Sequence, residues 1–289
     1  MSKTTLDLST LSDIADGTHT VKVKAKADGY RDSEFSNEVS YTKATPTLTD
    51  CILFEGETSD FTLNAANKEW DGTVEYSTDK NTWNTWDGSE ISSANKKLYL
   101  RGKNNTTFKT SSGARFALSA NAGCYGNINT LLDYENPPTA VGEMCFYLMF
   151  HGCTKLVSAP ALPATTLAPH CYREMFSGCT SLTTAPELPA TTLASTCYYG
   201  MFNSCTSLTA APELPATTLA EWCYYSMFSG CTSLKVSATQ TGEYTTAWRI
   251  PSTGEITSTA ADWNGYMFAN TGGTFRGDPS INTTYYGAW

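Results

Sequence analysis

CYREMFSGCTSLTTAPELPATTLAST, residues 171–196, recurs as CYYGMFNSCTSLTAAPELPATTLAEW at 197–222 and begins again as CYYSMFSGCTSLKV at 223–236. An earlier, more worn copy, CFYLMFHGCTKLVSAPALPATTLAPH, occupies 145–170. The copies start at Cys145, Cys171, Cys197 and Cys223, evenly spaced and without insertion. A repeat of this length is one supersecondary unit that cannot bury its apolar side alone and has to stack on its neighbours. Apolar residues of one unit fall at Leu193, Cys197, Tyr198, Met201, Phe202 and Cys205, the spacing i, i+4, i+5, i+8, i+9, i+12. That spacing predicts one face of a short helix. Ser207–Ala211 then reads as extended, and Pro212 and Pro215 exclude both a helix and a central ladder position after it. The expected fold class is α+β: β-sandwich-like modules, then a short leucine-rich-repeat solenoid of strand plus helix per unit, with Leu182, Leu188, Leu193, Cys197, Met201 and Phe202 inward.

The C-T-S-L-x-x-A-P-E-L-P segment followed by an aromatic helix resembles the BspA-type leucine-rich repeats of bacterial and phage surface proteins. The resemblance covers about 145–236, and the LPATTL segment departs from the family's more usual polar turn. It implies recognition or adhesion rather than chemistry.

Eight of the ten cysteines sit at two fixed repeat positions, Cys145/Cys153, Cys171/Cys179, Cys197/Cys205 and Cys223/Cys231. Eight residues apart on one helix, the two of a unit would stand about 12 Å apart, too far for a disulfide. Bridges between neighbouring units are geometrically conceivable; reduced, buried packing is the reading adopted, because cysteine fits a column that admits only a small apolar side chain. Spacings typical of zinc or calcium sites do not occur.

Upstream, Val21, Val23, Ala25 and Ala27 alternate with Lys22, Lys24 and Lys26, a half-buried strand; Asp28-Gly29 turns, and Glu38–Thr42 forms a second strand. GTHTVKVKAKADGYRDSEFSNEVSYT resembles the last two strands of a fibronectin type III or related immunoglobulin-like module. Such a module needs about 100 residues, so residues 1–45 are expected to be completed from outside, through Val21, Val23, Val39 and Tyr41, as an attachment segment. Residues 46–123 are punctuated by turn signals at the spacing of a small β-sandwich. Trp83 and Trp86 lie there on an expected hairpin, either as core or as an exposed sugar-stacking aromatic. Residues 124–236 hold the repeats and 237–289 a cap over the last one, in which Tyr266, Met267 and Phe268 echo the Tyr-x-x-Met-Phe motif once.

The net charge of −9 argues against a nucleic-acid partner, which would be met by clustered Lys and Arg. No window of 18 apolar residues exists, so membrane insertion is not expected. Three histidines far apart in sequence offer little for acid–base chemistry or metal binding, and neither a catalytic constellation nor a cofactor is expected. Glu187 and Glu213, one unit apart, could pass for a glycosidase pair but read as solvated faces of identical repeats. Between 145 and 236 only seven side chains are charged, so the repeats present an unusually uncharged surface. A column two positions after the repeat cysteine, Tyr147, Arg173, Tyr199 and Tyr225, either packs between adjacent helices or forms an aromatic ladder for glycan or protein contact. The expected function is therefore non-enzymatic: a bacteriophage virion surface or fibre protein, made in the host cytoplasm. It would be held by residues 1–45 to other virion proteins or to itself as a homo-oligomer, and would display the repeats to a host cell-surface protein or glycan. The alternatives are a bacterial cell-surface adhesin and a carbohydrate-binding accessory module.

Overall fold

The computed structural model describes residues 17–21, 39–43, 48–65, 68–110, 115–235 and 250–272. The chain divides into two compact units, 1–47 and 48–289. In the first, β1 (Gly17–Val21) pairs antiparallel with β2 (Val39–Lys43), setting His19 against Tyr41 and Val21 against Val39. Val23 lies outside the described residues.

The second unit begins with β3 (Ile52–Gly56), β4 (Thr62–Ala65), β5 (Lys68–Trp70), β6 (Thr73–Ser77), β7 (Asn84–Thr85), β8 (Ile91–Ser92), β9 (Lys97–Lys103), β10 (Phe108–Thr110), β11 (Phe116–Leu118) and β12 (Ala122–Tyr125). Two-residue strands β13 (Ala140–Val141), β15 (Thr166–Leu167), β16 (Thr218–Leu219) and β17 (Ser258–Thr259) follow, with β14 (Leu156–Ser158) among them. A six-stranded sheet runs β14-β12-β3-β9-β6-β7; β11-β4-β8 and β10-β5 form two smaller sheets. Strand β9 shows the period of two that drives this arrangement: Leu98, Leu100 and Gly102 are buried, whereas Tyr99, Arg101 and Lys103 face outward. Gly102 is required, since a Cβ there would stand 1.8 Å from the carbonyl oxygen of Leu131 in the 3-10 turn Ile128–Leu131.

The expected helix of each repeat does not form, and the strand-plus-helix solenoid is overturned with it. Among the described residues the only helical element is that 3-10 turn, and no helix is long and apolar enough to cross a membrane. In place of the helix, the backbone runs as a ribbon of consecutive four-residue turns. In one rung, residues 171–179, the N–H groups of Arg173, Met175, Ser177 and Cys179 donate to the carbonyls three residues back at 3.0–3.3 Å. The intervening N–H groups of Tyr172, Glu174, Phe176 and Gly178 leave the rung and donate to Cys197, Tyr199, Met201 and Asn203 at 2.7–3.0 Å. Half of the donors are thus satisfied only by the neighbouring rung, so a unit is incomplete without its neighbour.

Every second turn has a positive φ at its third residue, the requirement of a type II turn. His170, Glu174 and Gly178 occupy these places in this rung at φ 59°, 52° and 74°, and Thr196, Gly200 and Ser204 in the next at 57°, 56° and 60°. The apolar spacing is the physical reason for the correction. Four residues of an α-helix advance about 400°, so a strict four-residue repeat drifts by about 40° each time and by about 120° from Leu193 to Cys205. A ribbon with a four-residue period holds that spacing without drift: in CYREMFSGC the pairs Cys171/Tyr172 and Met175/Phe176 are buried, and Arg173/Glu174 turn outward.

Five such rungs stack at 145–153, 171–179, 197–205, 223–231 and 263–271. The first four follow the even spacing of the sequence repeat. The last step, from Cys223 to Trp263, spans a longer stretch of chain, yet its hydrogen bonds continue unchanged from Tyr224 to Trp263 and from Phe228 to Met267. Of the expected cap, the described residues 250–272 thus carry a fifth rung. Phe150, Phe176, Phe202, Phe228 and Phe268 stack at centroid spacings of 5.4–5.7 Å. Phe146, Tyr172, Tyr198 and Tyr224 form a parallel stack at 5.9–6.0 Å. The β-rich block is the template for the first rung: Phe108 O accepts from Phe146 N, Phe116 N donates to Met149 O, and the Phe116 ring meets Phe150 edge-on at 5.4 Å. The apolar core accordingly runs without a break from Ile52 to Phe268.

Candidate functional site

The outward pairs of the ribbon carry the column singled out from the sequence. Tyr147, Arg173, Tyr199 and Tyr225 are all half-buried and stacked along the rung axis. The Arg173 guanidinium carbon lies 5.9 Å from the Tyr147 ring centroid and 4.6 Å from that of Tyr199. Tyr199 and Tyr225 stack at 5.1 Å with planes 7° apart. Since the described residues of the rungs form no helix, packing between adjacent helices is not what holds these side chains; the backbone ladder beneath them sets one side chain per rung. Arg173 Nε also donates to Glu174 Oε1 at 3.2 Å, and Glu174 Oε2 stands 3.6 Å from His151 Nδ1. Burial, reinforced by Arg115, holds the His151 imidazole below its ordinary pKa.

In the fifth rung the column changes. Gly265 stands in register with Tyr225, whose ring carbons lie 2.6 and 2.8 Å from the point a Cβ at 265 would occupy, so the ring takes the space of the missing side chain. Tyr266 closes the column edge-on, at 5.6 Å and 70°. Trp222 is 41% and Tyr266 62% exposed, large aromatic surfaces on the outer side of rungs four and five. Burial, with Tyr266, Tyr199 and Asp262 nearby, raises the pKa of the Tyr225 phenol. From sequence alone Tyr266 reads only as an echo of the repeat within a cap. Trp222 goes unmarked there, although it occupies the repeat position held by His170 and Thr196, where a large aromatic stands out.

Trp83 and Trp86, paired in the sequence reading of the β-rich block, separate. Trp86 is core: it is 2% exposed, stacks on Trp70 at 5.5 Å and donates from Nε1 to the Ser89 carbonyl at 2.7 Å. Trp83 is half-buried, and the Arg101 guanidinium fills the gap between its ring and that of Tyr134, 4.0 and 4.2 Å from the two centroids, while Arg101 Nε donates to Glu75 Oε2 at 2.7 Å. The Trp83 face turned toward Arg101 is therefore occupied from within.

All ten cysteines are free thiols and buried. Those of one column reach back a rung: Cys179, Cys205 and Cys231 Sγ donate to the carbonyls of Phe150, Phe176 and Phe202 at 3.0–3.1 Å. Burial pushes the thiols of Cys145, Cys197 and Cys231 up to about 12 and that of Cys153 up to about 11. Such thiols pack rather than react. Among the described residues no three His, Cys, Asp or Glu side chains converge as a metal site would require. Glu187 and Glu213 are both exposed. No protein-family model, no curated protein and no solved structure matches this chain.

Proposed function

We propose that this chain is a non-enzymatic display protein of a virion surface or fibre, attached through residues 1–45 to other virion proteins or to its own copies, that recognises a host cell-surface protein with the outer side of its turn ribbons. The single observation that carries the reading is the ladder Tyr147–Arg173–Tyr199–Tyr225, half-buried and continued by the exposed Tyr266. Tyr, Trp and Arg are the side chains that supply most binding energy at protein interfaces, since they bring large contact area at low entropic cost. Stacking on a rigid backbone ladder removes much of the ordering cost that binding would otherwise carry. The inner rings stack face to face and turn only their edges outward, an arrangement suited to a protein surface. A glycan needs an open ring face, and Tyr266 is the ladder ring exposed enough to give that second reading a foothold. The BspA-type look of the repeat agrees with recognition and equally with a bacterial surface adhesin. For the attachment segment, support comes from β1 and β2, which among the described residues form a sheet of two strands, and a sheet that small is stabilised by strand addition.

The test is binding of the fluorescently labelled full chain to intact cells of a bacterial panel, compared with a Tyr199→Ala/Tyr225→Ala variant. The expected result is retention on some strains that is protease-sensitive on the cell side and at least roughly tenfold weaker in the variant, a loss in the range of interface hot spots. Binding that survives both substitutions overturns the reading.

A further inference from the structure

Rungs four and five differ from the rest of the ribbon in combining exposed rings with exposed acids. Trp222 and Tyr266 stand out to solvent, Tyr225 lies between them in the chain's outward series, and Glu221 and Asp262 are exposed beside them. Asp262 occupies the position of Trp222 one rung on, by the same longer step that carries Phe228 to Phe268. Neither carboxylate has an ion-pair partner among the described residues. Across 197–235 and 250–272 the carboxylates are Glu213, Glu221, Glu255 and Asp262, against Lys235 as the one basic side chain.

The second rung displays what such a surface accepts. There the ladder position is filled by Arg173, its guanidinium seated against the rings of Tyr147 and Tyr199 and steadied by the Glu174 carboxylate at 3.2 Å. A cation over a tyrosine face, with a carboxylate alongside, is thus already compatible with this backbone. At rungs four and five the rings and the carboxylates are present, and the cation is not supplied by the described chain.

We infer that the outer side of rungs four and five, formed by Trp222, Tyr266, Glu221 and Asp262 around the inner Tyr225, docks a basic segment of a partner protein, its arginine or lysine side chains lying on the exposed rings of Trp222 and Tyr266 and paired with the two carboxylates. The inference rests on the surface-recognition reading above and names the chemistry of the partner. Charge complementarity commits it to a cationic segment. Attraction between aromatic faces and cations adds to the carboxylate pairing and favours Arg over Lys.

The experiment titrates the intact chain with a fluorescein-labelled (Arg-Gly)5 peptide and with its citrulline counterpart, which keeps the shape and loses the charge. The arginine peptide is expected to bind at least tenfold more tightly than the citrulline one, and to weaken as salt rises from about 0.05 to about 0.5 M in these titrations. Tyr266→Ala is expected to weaken it roughly three- to tenfold. The pair Glu221→Gln/Asp262→Asn, which keeps side-chain size and an αL-tolerant residue at 262, is expected to weaken it by a similar factor and guards against a folding defect in the alanine variant. The pair Glu187→Gln/Glu213→Gln removes the same charge elsewhere on the repeats and is expected to leave binding unchanged. Equal binding of the two peptides, no binding of either, or equal losses in the two acid pairs overturns the inference. If the arginine peptide fails while Tyr199→Ala/Tyr225→Ala still abolishes cell binding, the basic partner is wrong and surface recognition stands; the opposite pattern overturns surface recognition instead.

Discussion

Replacing Gly178 by Ala separates a turn ribbon from a helix by the sign of the stability change. Gly178 closes the second rung at φ 74°, and a Cβ there would rest 3.4 Å from the Gly152 Cα, an ordinary contact. The cost is therefore conformational: an L-residue held in the left-handed region loses about 1–2 kcal/mol, and the lower entropy of unfolded Ala does not offset that where φ is positive. In a helix the same change would gain about 1 kcal/mol. Ser204→Gly is the mirror experiment. Ser204 stands at φ 60° where three other rungs carry Gly152, Gly178 and Gly230; its hydroxyl donates to the neighbouring Asn203 side chain, an exposed bond. Relief of the left-handed strain then balances or exceeds the flexibility of Gly, whereas in a helix the change would cost about 0.5 kcal/mol. Thermal unfolding followed by far-UV circular dichroism reads both. For a unit of this size about 2–4 °C accompany each kcal/mol, so Gly178→Ala should lower the Tm by roughly 2–8 °C and Ser204→Gly should leave it level or raise it. A higher Tm for Gly178→Ala together with a lower one for Ser204→Gly would refute the ribbon.

Phe202 is fully buried between Phe176 and Phe228, so Phe202→Ala should cost about 3–5 kcal/mol in chemical denaturation; a cost below about 1 kcal/mol would mean the column is not continuous. Alkaline pH should destabilise the chain. Burial pushes the thiols of Cys145, Cys197 and Cys231 up to about 12 and that of Cys153 up to about 11 from an ordinary value near 9, so their contribution is intact below about pH 9 and drains away as pH rises toward the folded values, by up to about 1.4 kcal/mol per pH unit for each group. A Tm that stays flat from pH 7 to 11 would contradict those burials. Alkylation by iodoacetamide at pH 8 should likewise be negligible until the chain is unfolded, as judged by intact mass. Excision of residues 197–222 should give a folded protein with a modestly lower Tm, since Thr196 then leads into Cys223 as it now leads into Cys197; aggregation of that deletion would show that the rungs are not interchangeable.

Much of the packing could be read from the repeat alone. Leu182, Leu188, Cys197, Met201 and Phe202 are buried as their recurrence suggests, and Leu193 is half-buried. The backbone carrying them could not be read the same way. Over nine residues a period of 3.6 and one of 4.0 select nearly the same side chains, and only the absence of drift out to i+12, with glycines at 152, 178, 200 and 230 on the same four-residue grid, distinguishes them. The left-handed positions are further disguised because Thr196 and Trp222 hold them without the usual glycine. The Tyr147–Arg173–Tyr199–Tyr225 column was visible because repetition aligns it. The Trp83–Arg101–Tyr134 stack had no such signal: its members share no spacing with any repeat and are brought together by sheet pairing and by the chain's return past the sheet.

The hydrogen bonds between rungs join residue i to residue i+25 along the regular repeat, and across the longer last step the same atoms still meet. The ladder therefore registers rungs and ignores the length of chain looped between them. Adding or losing one whole unit changes no bond type, only the reach of the stack, by about the 5.4–6.0 Å that separates successive rings. Copy number is in effect a length dial, one that gene duplication can turn in single clicks while the surface at either end keeps its chemistry.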